Sequence, residues 1–296
     1  MSEAVSAVIV NYNAGETLGD LVRALITQCS VARVVVVDNA SSDGSLRHLE
    51  SEVQDARLRL VKNTDNRGFA AACNQGAALA ESAYILFINP DCRISAQALV
   101  SLQAGMEARP DTAMSGPLIL NTDGSEQRGC RRYLPDPRRA LMRVLGLGKP
   151  DAQGNVAGFD LTGTPLPSGP VPVEAISGAC MLVKREAFTR VGGWDEGYFL
   201  HCEDLDLCMR LGMQGLGVLF VPDAVVSHLQ GVSSRGRNVF VLWHKHRGMW
   251  RYFAKFQRAA SPFWLTALVW SGIWSRFLML LPGAWLASLR PRPHAA

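Results

Sequence analysis

The feature that most constrains this chain is a repeated alternation: an apolar, β-favouring run stops at a polar residue, and a helix-compatible segment follows. Residues 8–10 run into Asn11, residues 34–37 into Asp38, and residues 84–88 into Asn89. The spacing predicts helices over about 17–28, 45–53, 69–81 and 96–108. Strands that are apolar almost without a break belong in a sheet covered on both faces, so the pattern predicts an α/β fold with a doubly wound, mostly parallel sheet. In such sheets ligands bind at the carboxyl edge, where the loops after the strands gather.

The alternation fades after residue 145. Residues 146–172 contain six Gly and five Pro, and we expect a mobile loop there. An apolar run over 175–183, a short helix over 186–191, a helix over 204–214 and a strand over 217–221 follow. Charge divides the chain further on. The last acidic residue is Asp223, and ten Lys or Arg lie beyond it; residues 1–223 therefore carry 20 basic against 26 acidic side chains, a net of −6. Every Trp except Trp194 lies from Trp243 onward. We expect a body over 1–235 and a basic, Trp-rich helical region over 236–296.

Residues 263–289 are long enough to cross a bilayer, but Arg276 divides the run and Pro282 follows. An interfacial or re-entrant helix pair in contact with anionic lipid fits better than a span. The alternative is a pair packed on the body or on a second subunit, which leaves homo-oligomerisation open. Aromatic residues here alternate with aliphatic runs rather than polar groove readers, so nucleic acid is not an expected partner. Seven cysteines without a CxxC pair, and a start lacking a secretory pattern, suit a reduced, cytoplasmic body.

Candidate functional residues fall at the strand ends. Asn11, Tyr12 and Asn13 follow the first strand; Asp38 ends the second and could bind a base or ribose, while Asp43 reads equally as a helix cap. No GxGxxG and no GxxxxGK[ST] is present, which disfavours a dinucleotide fold and a P-loop. Asn66 to Asn74 begins a helix whose free N–H groups could face phosphate. Asn89-Pro90-Asp91 is a turn by composition; directly after a strand, it also offers oxygen ligands for Mg²⁺ or Mn²⁺ on a diphosphate. Glu203, Asp204 and Asp206 crowd a helix start, where acids serve the helix dipole, and where like charges can also raise a carboxyl pKa toward that of a general base. His228 lies near a strand end, where a solvated or hydrogen-bonded side chain is the ordinary reading.

Taken together, VIVNYN, VVDNASSDGS, NRGFAAACN, INPD, GGWDEGYFLHCEDLDLC and HLQGVS resemble, in order, the large inverting glycosyltransferase family with the GT-A nucleotide-diphospho-sugar transferase fold. Within it the chain looks most like bacterial rhamnosyltransferases of cell-envelope polysaccharide synthesis. The resemblance implies that Asn11, Tyr12, Asn13 and Asp38 contact the donor base and ribose, with Asn66, Gly68, Asn74 and Asn89 near the nucleotide. It places Asp91 at the family's metal-binding acid, with Asn89 replacing the first acid of the pair and His228 assisting. It makes Asp204 the catalytic base, with Glu203 beside it and Trp194 and Asp195 bordering the acceptor. The implied reaction moves a sugar, L-rhamnose from dTDP-rhamnose, onto a lipid-linked saccharide at the cytoplasmic face of the inner membrane. Two alternatives stand beside it: a UDP-hexose or other donor, and a non-catalytic nucleotide-sugar-binding protein. A nucleotidyltransferase would need basic residues in 11–15, which has none.

Overall fold

The computed structural model of the chain describes residues 4–137, 139, 159–229 and 237–289. Its frame begins with four parallel strands, β1 (Val5–Asn11), β2 (Val31–Asp38), β3 (Leu58–Lys62) and β4 (Tyr84–Ile88), in the order β3-β2-β1-β4. Helices α1 (Thr17–Ile26), α2 (Ser45–Glu52) and α3 (Phe69–Ala77) connect them. Every residue of β1 and β4 is buried, so these strands lack hydrophilic alternation for a physical reason: both faces are covered. Leu18, Leu21 and Leu25 of α1 share one core with Val5, Ala7 and Ile9, while Ala70 and Cys73 of α3 share the other with Val8 and Val10. At Gly76 a Cβ would lie 2.4 Å from Val8 Cγ1, so only glycine lets α3 come this close to the sheet.

Beyond β4 come β5 (Cys92–Ile94), α4 (Ala96–Glu107), β6 (Thr112–Leu120), the two-residue β7 (Arg131–Arg132), β8 (Val171–Val173), β9 (Ala175–Ile176) and β10 (Cys180–Lys184). They are followed by α5 (Arg185–Arg190), α6 (Glu203–Met213) and β11 (Gly217–His228). The sheet is mixed in this half. β10 lies antiparallel between β4 and β6, and β11 runs parallel to β6 but antiparallel to β5. An apolar run carries no strand direction, which is why the alternation did not signal that β10 runs antiparallel. The single run expected over 175–183 is two strands, because Ser177 and Gly178 leave the ladder and turn into a cleft.

Of the loop expected over 146–172, residues 146–158 lie outside the described residues, and the remainder differs from that expectation. Asp160 bridges Arg132, and β8 adds to the edge of β11, where Leu219 pairs with Pro172. An edge strand tolerates proline because one side of its backbone has no ladder to complete. β11 also runs past its expected end at Val221. After a register shift between Val221 and Val225, it pairs His228 with Cys92 of β5. That register carries His228 to the residue beside Asp91.

The boundary at 235–236 falls among residues that are not described. Past it, α7 (Asn238–Phe256) buries His246, Gly248, Tyr252 and Phe253, with the His246 ring against Phe277 of the helix that follows. A Cβ on Gly248 would stand 2.7 Å from the His201 carbonyl oxygen, so the helix presses directly on the backbone that precedes α6. α8 (Phe263–Ser288) returns along α7, with Trp243 against Trp274 and Phe277. It runs through Pro282 without ending, and by length and composition it could cross a membrane. Only 6% of its most apolar window is buried, and Phe263, Trp264, Met279 and Trp285 are exposed.

Candidate active site

The carboxyl ends of β1, β2 and β4, the turn before α3, the start of α6 and one face of α7 and α8 enclose a cleft of about 1180 Å³. Tyr12, Asn66, Gly68, Asn89, Asp91, Glu203, Asp204 and His228 all line it. The topology thus gathers residues more than 200 positions apart in sequence.

One wall is a set of interlocked loops. Asn66 accepts the Gly68 N–H through its side chain at 2.9 Å, and Gly68 adopts φ +85°, where only glycine is comfortable. The Gly68 carbonyl accepts from Asn39, a buried cleft residue that sequence reading passed over. Asn39 in turn accepts from Asn63, which is locked to Gln75. Arg237 lies over the rings of Tyr12 and Phe240, at 5.2 and 4.2 Å, and so joins the first loop to α7.

A second cluster centres on Asp91. Its Oδ1 lies 3.0 Å from His228 Nε2, and Asn89 Nδ2 lies 3.5 Å from the same nitrogen. Gln127 Oε1 sits 2.7 Å from His228 Nδ1, while the Gln127 amide nitrogen donates to Asn121. The Gln127 oxygen therefore receives the Nδ1 proton, which leaves Nε2 facing the Asp91 carboxylate. An imidazole nitrogen and a carboxylate oxygen 3.0 Å apart can share either a proton or a divalent metal ion, and both are ordinary ligands for such an ion. Cys92 lies within reach, and Asp91, Cys92 and His228 form a group that could hold an ion. Cys92 is the poor member: burial raises its thiol well above the ordinary value, and Sγ faces the Ala179 carbonyl as a donor.

The third cluster stands at the amino terminus of α6. Asp204 Oδ1 accepts the Leu205 N–H at 2.8 Å, and Oδ2 accepts the Gly178 N–H at 3.2 Å and a guanidinium N–H of Arg132. Burial works to raise the Asp204 carboxyl, but the charge and hydrogen bond of Arg132, with the two backbone donors, outweigh it and hold the group below the usual range. Glu203 is the acid that is raised. Burial, then the charge of Asp204, pushes it up to about 8, and its Oε2 has no hydrogen-bond partner. Crowding in this cluster therefore acts on the neighbour of the expected base.

A model described as glycosyl transferase family 2 matches residues 6–162, and one described as glycosyl transferase family group 2 matches residues 155–290. The chain belongs to glycosyl transferase family 2. It is 29% identical over 275 residues to an N-acetylglucosaminyl-diphospho-decaprenol L-rhamnosyltransferase of Mycobacterium tuberculosis, covering 85% of this chain and 88% of the relative. It is 37% identical over 84 residues to rhamnosyltransferase WbbL of Escherichia coli, covering 28% and 31%. Among solved structures, a mannosyltransferase of Pyrobaculum calidifontis in complex with GDP-Man and Mn²⁺ superposes with a TM-score of 0.57 at 19% identity, covering 97% of this chain and 74% of that one. The fold of this family 2 glycosyltransferase is therefore GT-A.

Several family-motif residues lie behind the cleft of this glycosyltransferase rather than on its wall. Asn11 is fully buried and donates to Asp38, Ser41 and Ser45; Asp38 accepts from Asn11 and from the Ser41 N–H. Asn13 accepts the Ser42 and Asp43 N–H groups. All three shape the loop after β2. Asn74 exchanges hydrogen bonds with both backbone groups of Trp194. Trp194, 2% exposed, stacks edge-on against Phe69 and Phe87, and Asp195 is held by Arg251 and Lys255 of α7. Neither Trp194 nor Asp195 lines the cleft, because aromatic packing claims one and ion pairing claims the other. Arg132 and Gln127 are the reverse case: cleft residues that no motif flagged.

Proposed function

We propose that the chain catalyses the inverting transfer of L-rhamnose from dTDP-rhamnose to a lipid-linked saccharide, in the synthesis of cell-envelope polysaccharide. The observation that carries the reading is the meeting of Asp204 with the Asp91 and His228 pair in one cleft. The rhamnose assignment draws on the mycobacterial relative, named as an L-rhamnosyltransferase acting on a diphospho-decaprenol acceptor.

In this reading Tyr12, Asn39, Asn66 and Asn89 line the part of the cleft that takes the nucleotide. Asp91 and His228 would hold Mg²⁺ or Mn²⁺, which when bound supplies positive charge against the diphosphate leaving group. Asp204, kept ionised by Arg132, accepts the proton of the acceptor hydroxyl, and that oxygen attacks the anomeric carbon opposite the leaving group. One carboxylate suffices for inversion. Gln127 fixes the tautomer of His228. α8, with its exposed apolar residues and no acidic side chain, favours peripheral contact with anionic lipid at the cytoplasmic face of the inner membrane.

The test is to incubate the full chain with Mg²⁺ or Mn²⁺, a farnesyl-diphosphate-linked N-acetylglucosamine and either dTDP-rhamnose or a UDP-hexose. Mass spectrometry should find one added deoxyhexose, and NMR the inverted anomer. Consumption of the UDP-hexose alone would overturn the donor, and binding without turnover of any donor would leave a nucleotide-sugar-binding protein. Fractionation tests the membrane claim: recovery wholly in the soluble fraction at low salt would refute it.

A further inference from the structure

The part of the cleft built by α7 and α8 carries charge that its surroundings leave uncompensated. Lys245 and Arg276 both line it. Among the described residues Lys245 has no hydrogen-bond or ion-pair partner, and Arg276 approaches only the neutral acceptor His246 Nε2, at 3.4 Å. Arg128 and Arg132 stand in the same electrostatic neighbourhood, but Asp160 engages the first and Asp204 the second. The Lys245 ammonium is held below its ordinary range by partial burial and then by the charge of Arg276. No acid can relieve this from within the segment, because none occurs after Asp223.

The walls beside these cations are apolar. Val269, Ile273 and Arg276 share one face of α8 at the i, i+4 and i+7 positions, and Met249 and Phe253 of α7 line the same cleft. On the rest of α8, Trp264, Met279 and Trp285 are bare. His201 and Cys202, which precede Asp204 in the chain and line the cleft with it, feel the charge of Lys245, and Lys245 feels that of Arg276, which puts the two cations toward the Asp204 side of the cleft. An anionic group joined to an apolar chain matches these features, and a free nucleotide does not, since it offers nothing to the apolar face.

We propose that Lys245 and Arg276 seat the diphosphate of a prenyl-diphosphate-linked acceptor, with Val269 and Ile273 lining the path of its first isoprene groups. This rests on the transferase reading above and adds the acceptor subsite to it. α7 and α8 are then part of the substrate site as well as a surface for lipid. An anionic phospholipid headgroup offers the same phosphate chemistry, and the experiment separates the two sources.

Full-chain wild type, Lys245→Gln, Arg276→Gln and the double variant would be assayed with farnesyl-diphosphate-linked N-acetylglucosamine. Binding of farnesyl diphosphate alone, in EDTA and without donor, would be read in parallel from tryptophan fluorescence. Each single change should raise the acceptor KM about tenfold, the loss of one charge-assisted phosphate contact, and the double change more, with the donor KM unmoved. Lys245→Arg with Arg276→Lys should restore most of the affinity, which a purely structural defect would not allow. An acceptor KM within twofold of wild type in the double variant would overturn the proposal. So would loss of binding to phosphatidylglycerol vesicles with the acceptor KM unchanged, since the pair would then be a membrane contact. Farnesyl diphosphate binding that the double variant loses, in a protein that transfers no sugar, would uphold the seat and refute the transferase reading.

Discussion

Arg132 reaches from the short strand β7 to the Asp204 carboxylate at the start of α6, two elements 72 residues apart in sequence. The proposed base is thereby kept ionised by a partner outside its own motif. This pairing has a consequence for the pH dependence of the enzyme.

Without Arg132, burial would act on Asp204 with only the Leu205 and Gly178 N–H groups opposing it, so the carboxyl would move up. The acidic limb of the kcat/KM profile should therefore shift to higher pH in Arg132→Gln, with activity at pH 6 falling more than at pH 8. Asp204→Asn should lose activity at every pH, by roughly 10²–10⁴-fold, the usual contribution of a general base. A pH series on both variants checks this, and an unmoved limb in Arg132→Gln would separate the arginine from the proton transfer.

Glu203 makes the opposite prediction for stability. Folded, it keeps its proton to about pH 8, whereas an ordinary glutamate releases it near 4.5. Between those values the folded chain binds more protons than the unfolded one, so stability falls as pH rises through the window. Glu203→Gln removes the titration, and its advantage over wild type should grow from pH 5 to pH 8. A gain of about 2–4 °C in Tm at pH 8, equivalent to ~1 kcal/mol in a chain near this size, is expected from thermal melts across the range.

The proposed metal site depends on a residue that would bind no metal itself. Gln127 receives the His228 Nδ1 proton and so directs Nε2 at Asp91. Replacing it with Leu frees the ring to change tautomer, and loss of such an orienting partner typically weakens metal affinity about 10–100-fold. Titrating Mn²⁺ against activity, or following its EPR signal, should give that shift for Gln127→Leu. Asp91→Ala should abolish saturation altogether.

The contrast between Gln127 and Trp194 explains how much was legible beforehand. Parallel strands β1, β2 and β4 could be read because burial on both faces leaves unbroken apolar runs, whereas β3, a half-exposed strand with Arg and Lys in it, offers no such run; the clustered acids of α6 mark its start. The antiparallel placement of β10 could not, since direction depends on what the chain does between strands. Within the site, Asp91, Asp204 and His228 were legible from motifs, but those same motifs also hold Asn11, Asp38, Asn74 and Trp194, which support the cleft from behind. Motif membership alone does not distinguish a wall from its support. Gln127 lies in irregular chain and Arg132 in the two-residue β7, where no period or spacing gives them away; only the fold brings Arg132 to Asp204 and Gln127 to His228.

Gly68 is where backbone conformation limits the site most sharply. Its φ of +85° and ψ of 168° lie in a region open to glycine alone, and a Cβ there would stand 2.8 Å from the Phe199 carbonyl oxygen and 2.9 Å from the Phe199 ring. That carbonyl also accepts the Phe69 N–H, so it cannot retreat without unpinning the start of α3. Gly68→Ala should therefore combine conformational strain with a clash against backbone, destabilising the fold by roughly 2–4 kcal/mol. Urea denaturation should show a lower midpoint with an unchanged slope. Displacement of the 66–68 turn should also weaken donor binding, whereas Gly212→Ala, on an open face of α6, should leave both measurements near wild type.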